Sequence, residues 1–291
     1  MRAFDFWILM ICCLGWGGNF VVSAWALGGS SVPPFLLAAT RATLVLVVMG
    51  VFLFRPLPKQ FGRLLIVSLC VGALHLAFLY TGLQTAPASG ASIVSQSLIP
   101  LAAILSVVFL KEHLPWTQVL AIVGAFLGVI VMVWQPGALG LDIGLLYIFA
   151  AYLVLAIGSV IMRTVPEIDW KVYVAWTAVV VLLFSTALSF LFETGQGEVL
   201  AQDLKPLLIA AGYAAIAVSI FAHGQYFRLL QTYPVNRVVP LTLMVTVFAT
   251  ALGVGLLKET LHPRYLIGAA IILPCVWYVA RRGTVAPVEV D

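Results

Sequence analysis

Gln84-Thr85-Ala86-Pro87 leads through an apolar run to Lys111-Glu112-His113-Leu114, and Gln231-Thr232-Tyr233-Pro234 leads through another to Lys258-Glu259-Thr260-Leu261. Aligned without a gap, ten of the 31 positions are identical, among them Ala102 with Ala249, Leu105 with Leu252, Val107 with Val254 and Leu110 with Leu257. The equal spacing from Gln to Lys means more than shared apolarity. Each copy ends one apolar run, turns at a proline, spans a second run and stops at Lys-Glu, so the chain carries an internal duplication. Five apolar spans separate one turn from the other, and an odd number of membrane crossings reverses the direction of the second copy. The expected fold is an all-α integral membrane protein of ten transmembrane helices, arranged as two inverted five-helix repeats. That arrangement lets a transporter open alternately to either side around a midplane site.

Composition agrees. Apolar residues make up 63% of the 291 positions and charged ones 9%, where a soluble domain keeps about a quarter of its residues charged. The mean hydropathy is +1.13. The net charge of +4 reflects basic loops between apolar runs, the pattern of positive-inside topology, and not a nucleic-acid partner. Cys12, Cys13, Cys70 and Cys275 all fall within apolar spans, so neither a disulfide framework nor a metal site is implied, and no cofactor is expected. The run at 6–27 is too long for a signal-peptide core of about 7–15 residues and reads as a retained first span.

A bilayer crossing takes about 20 apolar residues. Ten runs qualify, at 6–27, 33–54, 64–82, 88–110, 116–134, 143–162, 172–192, 207–230, 235–257 and 265–280. The first repeat is expected over 1–137, and the second over 138–291 with a short cytoplasmic tail. With the N-terminus inside, the inner ends and loops hold Arg2, Arg55, Lys59, Arg63, Lys111, Arg163, Lys171, Arg228, Arg237, Arg281 and Arg282, against Lys205, Lys258 and Arg264 outside. This bias places both termini in the cytoplasm. Gly124-x-x-x-Gly128 on span five is a close-packing motif that serves contact within a monomer as well as a weak homodimer.

Polar groups inside lipid face a cavity or a partner helix. Span one carries Trp16, Asn19 and Ser23 at i, i+3, i+7; span six carries Tyr152, Ser159 and Arg163 on one face; span four carries Ser89, Ser92 and Gln96; span eight carries Ser219, His223 and Tyr226 or Phe227. Span three offers His75, Phe78 and Tyr80, with His75 and Tyr80 about 140° apart around the helix. Met244 is the candidate on span nine. Trp16, Asn19, His75, Phe78, Tyr80, Ser92, Gln96, Tyr152, Ser159, His223, Tyr226 and Met244 thus form the candidate substrate site. Asn19, Ser92 and Ser159 read first as interhelical hydrogen-bond partners, and the rings equally fill space between helices. Arg41, the one cation well inside a span, reads first as a structural group and second as an attractor of a substrate carboxylate. Glu112 and Glu259 read as helix-end fixtures.

No Asp or Glu lies in the middle of a span. Proton-coupled transporters commonly relay through such a carboxylate, so export down the solute's own gradient is the simpler expectation, with His75 the alternative proton carrier. Aromatic rings with neutral amides and hydroxyls suit a small zwitterion with an apolar or aromatic side chain. Paired carboxylates, His-Glu-x-x-His and Cys/His ligand spacing are absent, which disfavours an enzyme, and the inverted duplication with polar faces on six spans favours a transporter over a channel.

Trp16-Gly17-Gly18-Asn19-Phe20, Pro33 followed by Arg41, Tyr80-Thr81-Gly82-Leu83, Pro100, Glu112 and the glycines of span five together resemble the drug/metabolite transporter superfamily, in its ten-helix EamA-type branch. The resemblance covers essentially the whole chain. It implies a central cavity lined by spans one, three, four, six, eight and nine, with five and ten peripheral. It also implies efflux of small metabolites, amino acids above all, the aromatic amino-acid exporters being one subgroup. Two positions depart from the pattern: Ala24 and Trp25 stand where a Lys often follows the first motif, and Val247 stands in the second copy where Pro100 stands in the first. The first-helix Glu of the cationic-drug branch is absent, against proton/drug antiport.

Overall fold

A backbone in hydrocarbon must satisfy its own hydrogen bonds, and these apolar runs do so as helices. A computed structural model describes residues 1–28, 32–57, 59–135, 140–165, 168–202, 204–233 and 235–282. Among them ten helices are long and apolar enough to cross a membrane: α1 Ala3–Gly28, α2 Pro34–Phe54, α3 Phe61–Leu83, α4 Ala88–Leu110, α5 Trp116–Val133, α6 Ile143–Met162, α7 Trp170–Phe192, α8 Leu204–Leu230, α9 Val239–Leu257 and α10 Pro263–Arg281. Their ends lie within four residues of the expected spans. The repeat boundary at 137/138, Pro234, Asp203 and the tail beyond residue 282 lie outside the described residues. Two-residue strands, β1 (Trp134–Gln135) and β2 (Gly140–Leu141), pair antiparallel between α5 and α6.

The bundle is apolar on its outside as well as in its core, and it buries polar side chains inside. Phe54 is 91% exposed and Phe190 83%, whereas Ser89, Ser92 and Ser185 are fully buried. Lipid is the solvent that makes such a surface stable.

The duplicated stretch closes both copies the same way. Lys111 ends α4 at φ 55° and Lys258 ends α9 at φ 57°, the two left-handed non-glycine residues among those described. Each following glutamate N–H reaches back to close the turn, Glu112 to the Ser106 carbonyl at 3.4 Å and Glu259 to Gly253 at 3.2 Å. Helix irregularities recur in register too. Gln231 − Gln84 gives a shift of 147 residues. At that shift the π-helical stretch Leu69–Leu74 of α3 falls inside the π stretch Ala214–Ala222 of α8. The interruption of α4 at Gln96 and Ser97 falls on the end of the 3-10 turn Val239–Leu243 that opens α9.

Proline causes the interruption in α4. Pro100 has no N–H for the Gln96 carbonyl, which takes a long 3.4 Å bond from Ile99 instead, while Gln96 and Ser97 donate to carbonyls three residues back. Pro240 opens the 3-10 turn of the second copy.

Small residues let helices of the two halves approach. Gly82 of α3 meets Gly144 of α6 so closely that a methyl on Gly82 would lie 2.7 Å from the Gly144 carbonyl oxygen. Gly124 and Gly128 of α5 pack on Cys275 and Ile272 of α10, so the close-packing motif is used within the chain. α1 likewise lies against α9, and α2 against α7.

Candidate functional site

Eight helices surround a central cavity of about 590 Å³, within the range of small-molecule sites. α1, α3, α4, α6, α8 and α9 contribute as the resemblance implied. α2 and α7 contribute as well, through Arg41 and through Tyr173 and Thr177, while α5 and α10 do not. The lining runs from mid-bundle residues such as Asn19 and Arg41 to the helix ends at Met162, Trp170 and Leu230. At the other end the bundle is packed: Leu83, Ala88, Leu145 and Ile148 are at most 1% exposed.

Charged side chains fasten that packed end. Glu259, just past α9, accepts the Ala88 and Ser89 backbone N–H groups at 2.6 and 3.0 Å, capping α4. Glu193, just past α7, accepts those of Phe35 and Leu36 at 2.6 and 3.1 Å, capping α2. These are the free donors of a helix N-terminus, where a carboxylate is favoured. At the cavity end, helices are tied by Arg228 to Asp5 at 2.9 Å, Arg163 to Glu112, and Arg55 to Asp169.

Eight of the twelve candidate residues line the cavity: Trp16, Asn19, His75, Gln96, Tyr152, Ser159, His223 and Tyr226. They form two ring clusters on helices that correspond between the repeats. On α1 and α8, Trp16 lies 5.7 Å from His223 and edge-on to Tyr226 at 5.2 Å. On α6 and α3, Tyr152 lies edge-on to His75 at 5.1 Å. His75 Nδ1 is 3.1 Å from the Ala151 carbonyl, an acceptor only, so that nitrogen carries the proton and Nε2 is the free acceptor. Gln96 Nε2 donates to Thr246 of α9 at 2.9 Å and Ser159 to the Leu155 carbonyl at 2.7 Å. The Trp16 Nε1–H and Asn19 Oδ1 are buried with no protein partner among the described residues.

Four candidates lie off the lining, each for a visible reason. Phe78 stacks on Tyr147 at 6.3 Å. Ser92 donates to the Ser89 carbonyl at 2.8 Å, and its own carbonyl accepts from Thr246, so it faces α9. Met244 packs half-buried against the apolar core. Tyr80 is fully buried, its hydroxyl accepting an Arg41 N–H at 3.0 Å, so it stands behind the lining.

Arg41, outside the twelve candidates, also faces the cavity. It is 8% exposed, lines the cavity, and is the only Asp, Glu, Lys or Arg to do so among the described residues. Nε and Nη2 donate to Ser219 Oγ at 3.2 and 2.9 Å. Its position as the sole mid-span cation was the available signal. What the sequence could not supply was the pair of neutral hydroxyls that meet it from α3 and α8.

A ten-helix membrane bundle around one solute-sized, half-open cavity defines a class, the multi-pass transporters of small molecules. The model of the EamA-like transporter family matches residues 4–134 and 142–281. The chain belongs to that family, and it is a membrane transporter rather than an enzyme. Among its relatives, a probable amino-acid metabolite efflux pump of Salmonella typhimurium is 30% identical over 280 residues, 92% of each chain. A protein of Escherichia coli described in the same words is 26% identical over 91% of each. A crystal structure of an otherwise undescribed protein superposes with a TM-score of 0.61 at 21% identity, covering 97% of this chain and 99% of the other, a likeness of fold.

Proposed function

We propose that the protein exports small neutral amino acids, those with aromatic or apolar side chains foremost, from the cytoplasm across the cell inner membrane by alternating access between two inverted halves, driven by the solute's own gradient. The observation that carries this reading is a cavity closed at one end and open at the other, whose mouth lies beside Arg163, Lys171 and Arg228. Basic ends mark the cytoplasmic side, so the cavity faces the compartment from which an exporter loads. The lining supplies apolar and aromatic walls for a side chain, and an unpaired donor and acceptor, Trp16 and Asn19, for a polar backbone. The relatives' description as amino-acid metabolite efflux pumps supports the substrate class. Matched π stretches, helix interruptions and Lys-Glu turns support two corresponding halves.

Downhill export is favoured because the lining holds no carboxylate among the described residues. The test is counterflow of labelled L-phenylalanine and L-leucine in liposomes carrying the full chain. We expect saturable exchange that persists when the proton gradient is dissipated. Strict proton dependence would sink the downhill reading and point to His75. Flux at channel rates would sink alternating access.

A further inference from the structure

We propose that Arg41 anchors a substrate carboxylate, so that this transporter selects solutes bearing one carboxylate over their amides and amines. The proposal rests on the transport reading above and sharpens its substrate class.

A guanidinium keeps its charge at any working pH. Holding one inside a helix bundle without an opposite charge is costly. Arg41 is nevertheless buried, and no carboxylate pairs with it among the described residues. Its protein partners are two neutral oxygens, Tyr80 Oη and Ser219 Oγ. The Ser219 hydroxyl proton goes to the Ala214 carbonyl at 3.1 Å, five residues back within the π stretch of α8, which leaves its lone pairs for Arg41. Tyr80 and Ser219 therefore fix the plane of the guanidinium without neutralising it. Three of its five N–H donors are used and two remain, the number a carboxylate takes in a bidentate contact.

The rest of the lining sets the selectivity. The unpaired Asn19 Oδ1 can accept from an ammonium and the unpaired Trp16 N–H can donate to a second oxygen. A lone cationic amine finds no carboxylate there among the described residues and meets Arg41 as a like charge. A strut that merely joins α2 to α3 and α8 would need no charge and would confer no preference.

The experiment measures binding of labelled L-phenylalanine and labelled 3-phenylpropionate to the purified full chain, with L-phenylalaninamide and phenethylamine as competitors. In the parent protein, both carboxylates bind and the amide and amine compete about tenfold or more weakly, a charge-assisted hydrogen bond being the difference. Arg41→Gln lowers carboxylate affinity by about ten- to a hundredfold and leaves amide affinity near the parent value, so discrimination collapses. Arg41→Lys, which keeps a charge but not the fork, and Ser219→Ala, which frees the fork to rotate, retain part of it. These two carry the test if the Gln variant fails to fold as a single species in detergent. Equal competition by amide and amine in the parent overturns the proposal. So does undiminished discrimination in all folded Arg41 variants, or failure of both carboxylates to bind. Binding of 3-phenylpropionate without L-phenylalanine would refute the amino-acid reading and leave the anchor standing.

Discussion

At the residue scale, the lysines that close the duplicated stretch have a conformational duty separate from their charge. Lys111 and Lys258 sit at φ 55° and 57°, a region that costs an L-residue roughly 1–2 kcal/mol and a β-branched residue more. Glycine is the usual occupant. Lys111→Gly and Lys258→Gly are therefore expected to hold or raise thermal stability in detergent. Lys111→Val and Lys258→Val should lower it by about 1–2 kcal/mol each. Equal stability of the Gly and Val pairs would show that the turns relax away from the left-handed conformation. The cavity residues differ in kind. Trp16 and Asn19 leave polar atoms unmatched, whereas Gln96 donates to Thr246 of α9 and Ser159 to the Leu155 carbonyl of its own helix.

At the element scale, α3, α4, α8 and α9 depart from regular helix where they border the cavity. A π stretch turns side chains out of their 3.6-residue register, and in α8 it presents Ser219 to Arg41. The irregular turns of α4 and α9 fall at corresponding positions of the two copies, although Pro100 and Pro240 do not align with each other. At the packed end, α4 begins under the carboxylate of Glu259 from the other half of the chain. If that end is the outer gate, opening must separate Glu259 from Ala88 and Ser89. Replacing a helix-capping carboxylate costs about 1 kcal/mol, roughly a fivefold shift between two states. In Glu259→Gln, a cysteine placed at the fully buried Ser89 should react with a polar maleimide several-fold faster than in the parent background. An unchanged labelling rate would mean that this cap does not hold the gate.

For the whole molecule, orientation decides which compartment the cavity serves. Arg55, Arg163, Lys171 and Arg228 lie at the cavity end of the bundle, and the turn at Gly195, with φ 81° and an open surround, lies at the opposite end beyond α7. With single cysteines at Gly195 or Gly197, and at the exposed Lys59, a membrane-impermeant reagent applied to intact cells should label the first two positions and spare the third. The reverse pattern would turn the protein over and make the cavity face outward. The exposed Phe54 at one end of the bundle, and Phe190 and Phe192 at the other, need no protein partner in a chain surrounded by lipid.

Sequence alone determined what periodic chemistry can write. The ten spans follow from apolar length, and the duplication from Gln84–Leu114 and Gln231–Leu261. The cavity faces of α1 and α6 were legible because one regular helical face carries Trp16 and Asn19, or Tyr152 and Ser159. The same periodicity failed on α4. The Pro100 interruption leaves Gln96 on the lining while Ser92 turns to α9. On α3, the roughly 140° between His75 and Tyr80 puts the first on the lining and the second behind it. The surroundings of Arg41 were decided only by tertiary structure. A buried cation is structural or functional according to what meets it, and Tyr80 and Ser219 reach it from positions 39 and 178 residues away along the chain. Folding brings them there as neutral oxygens, which hold the charge in place and do not cancel it.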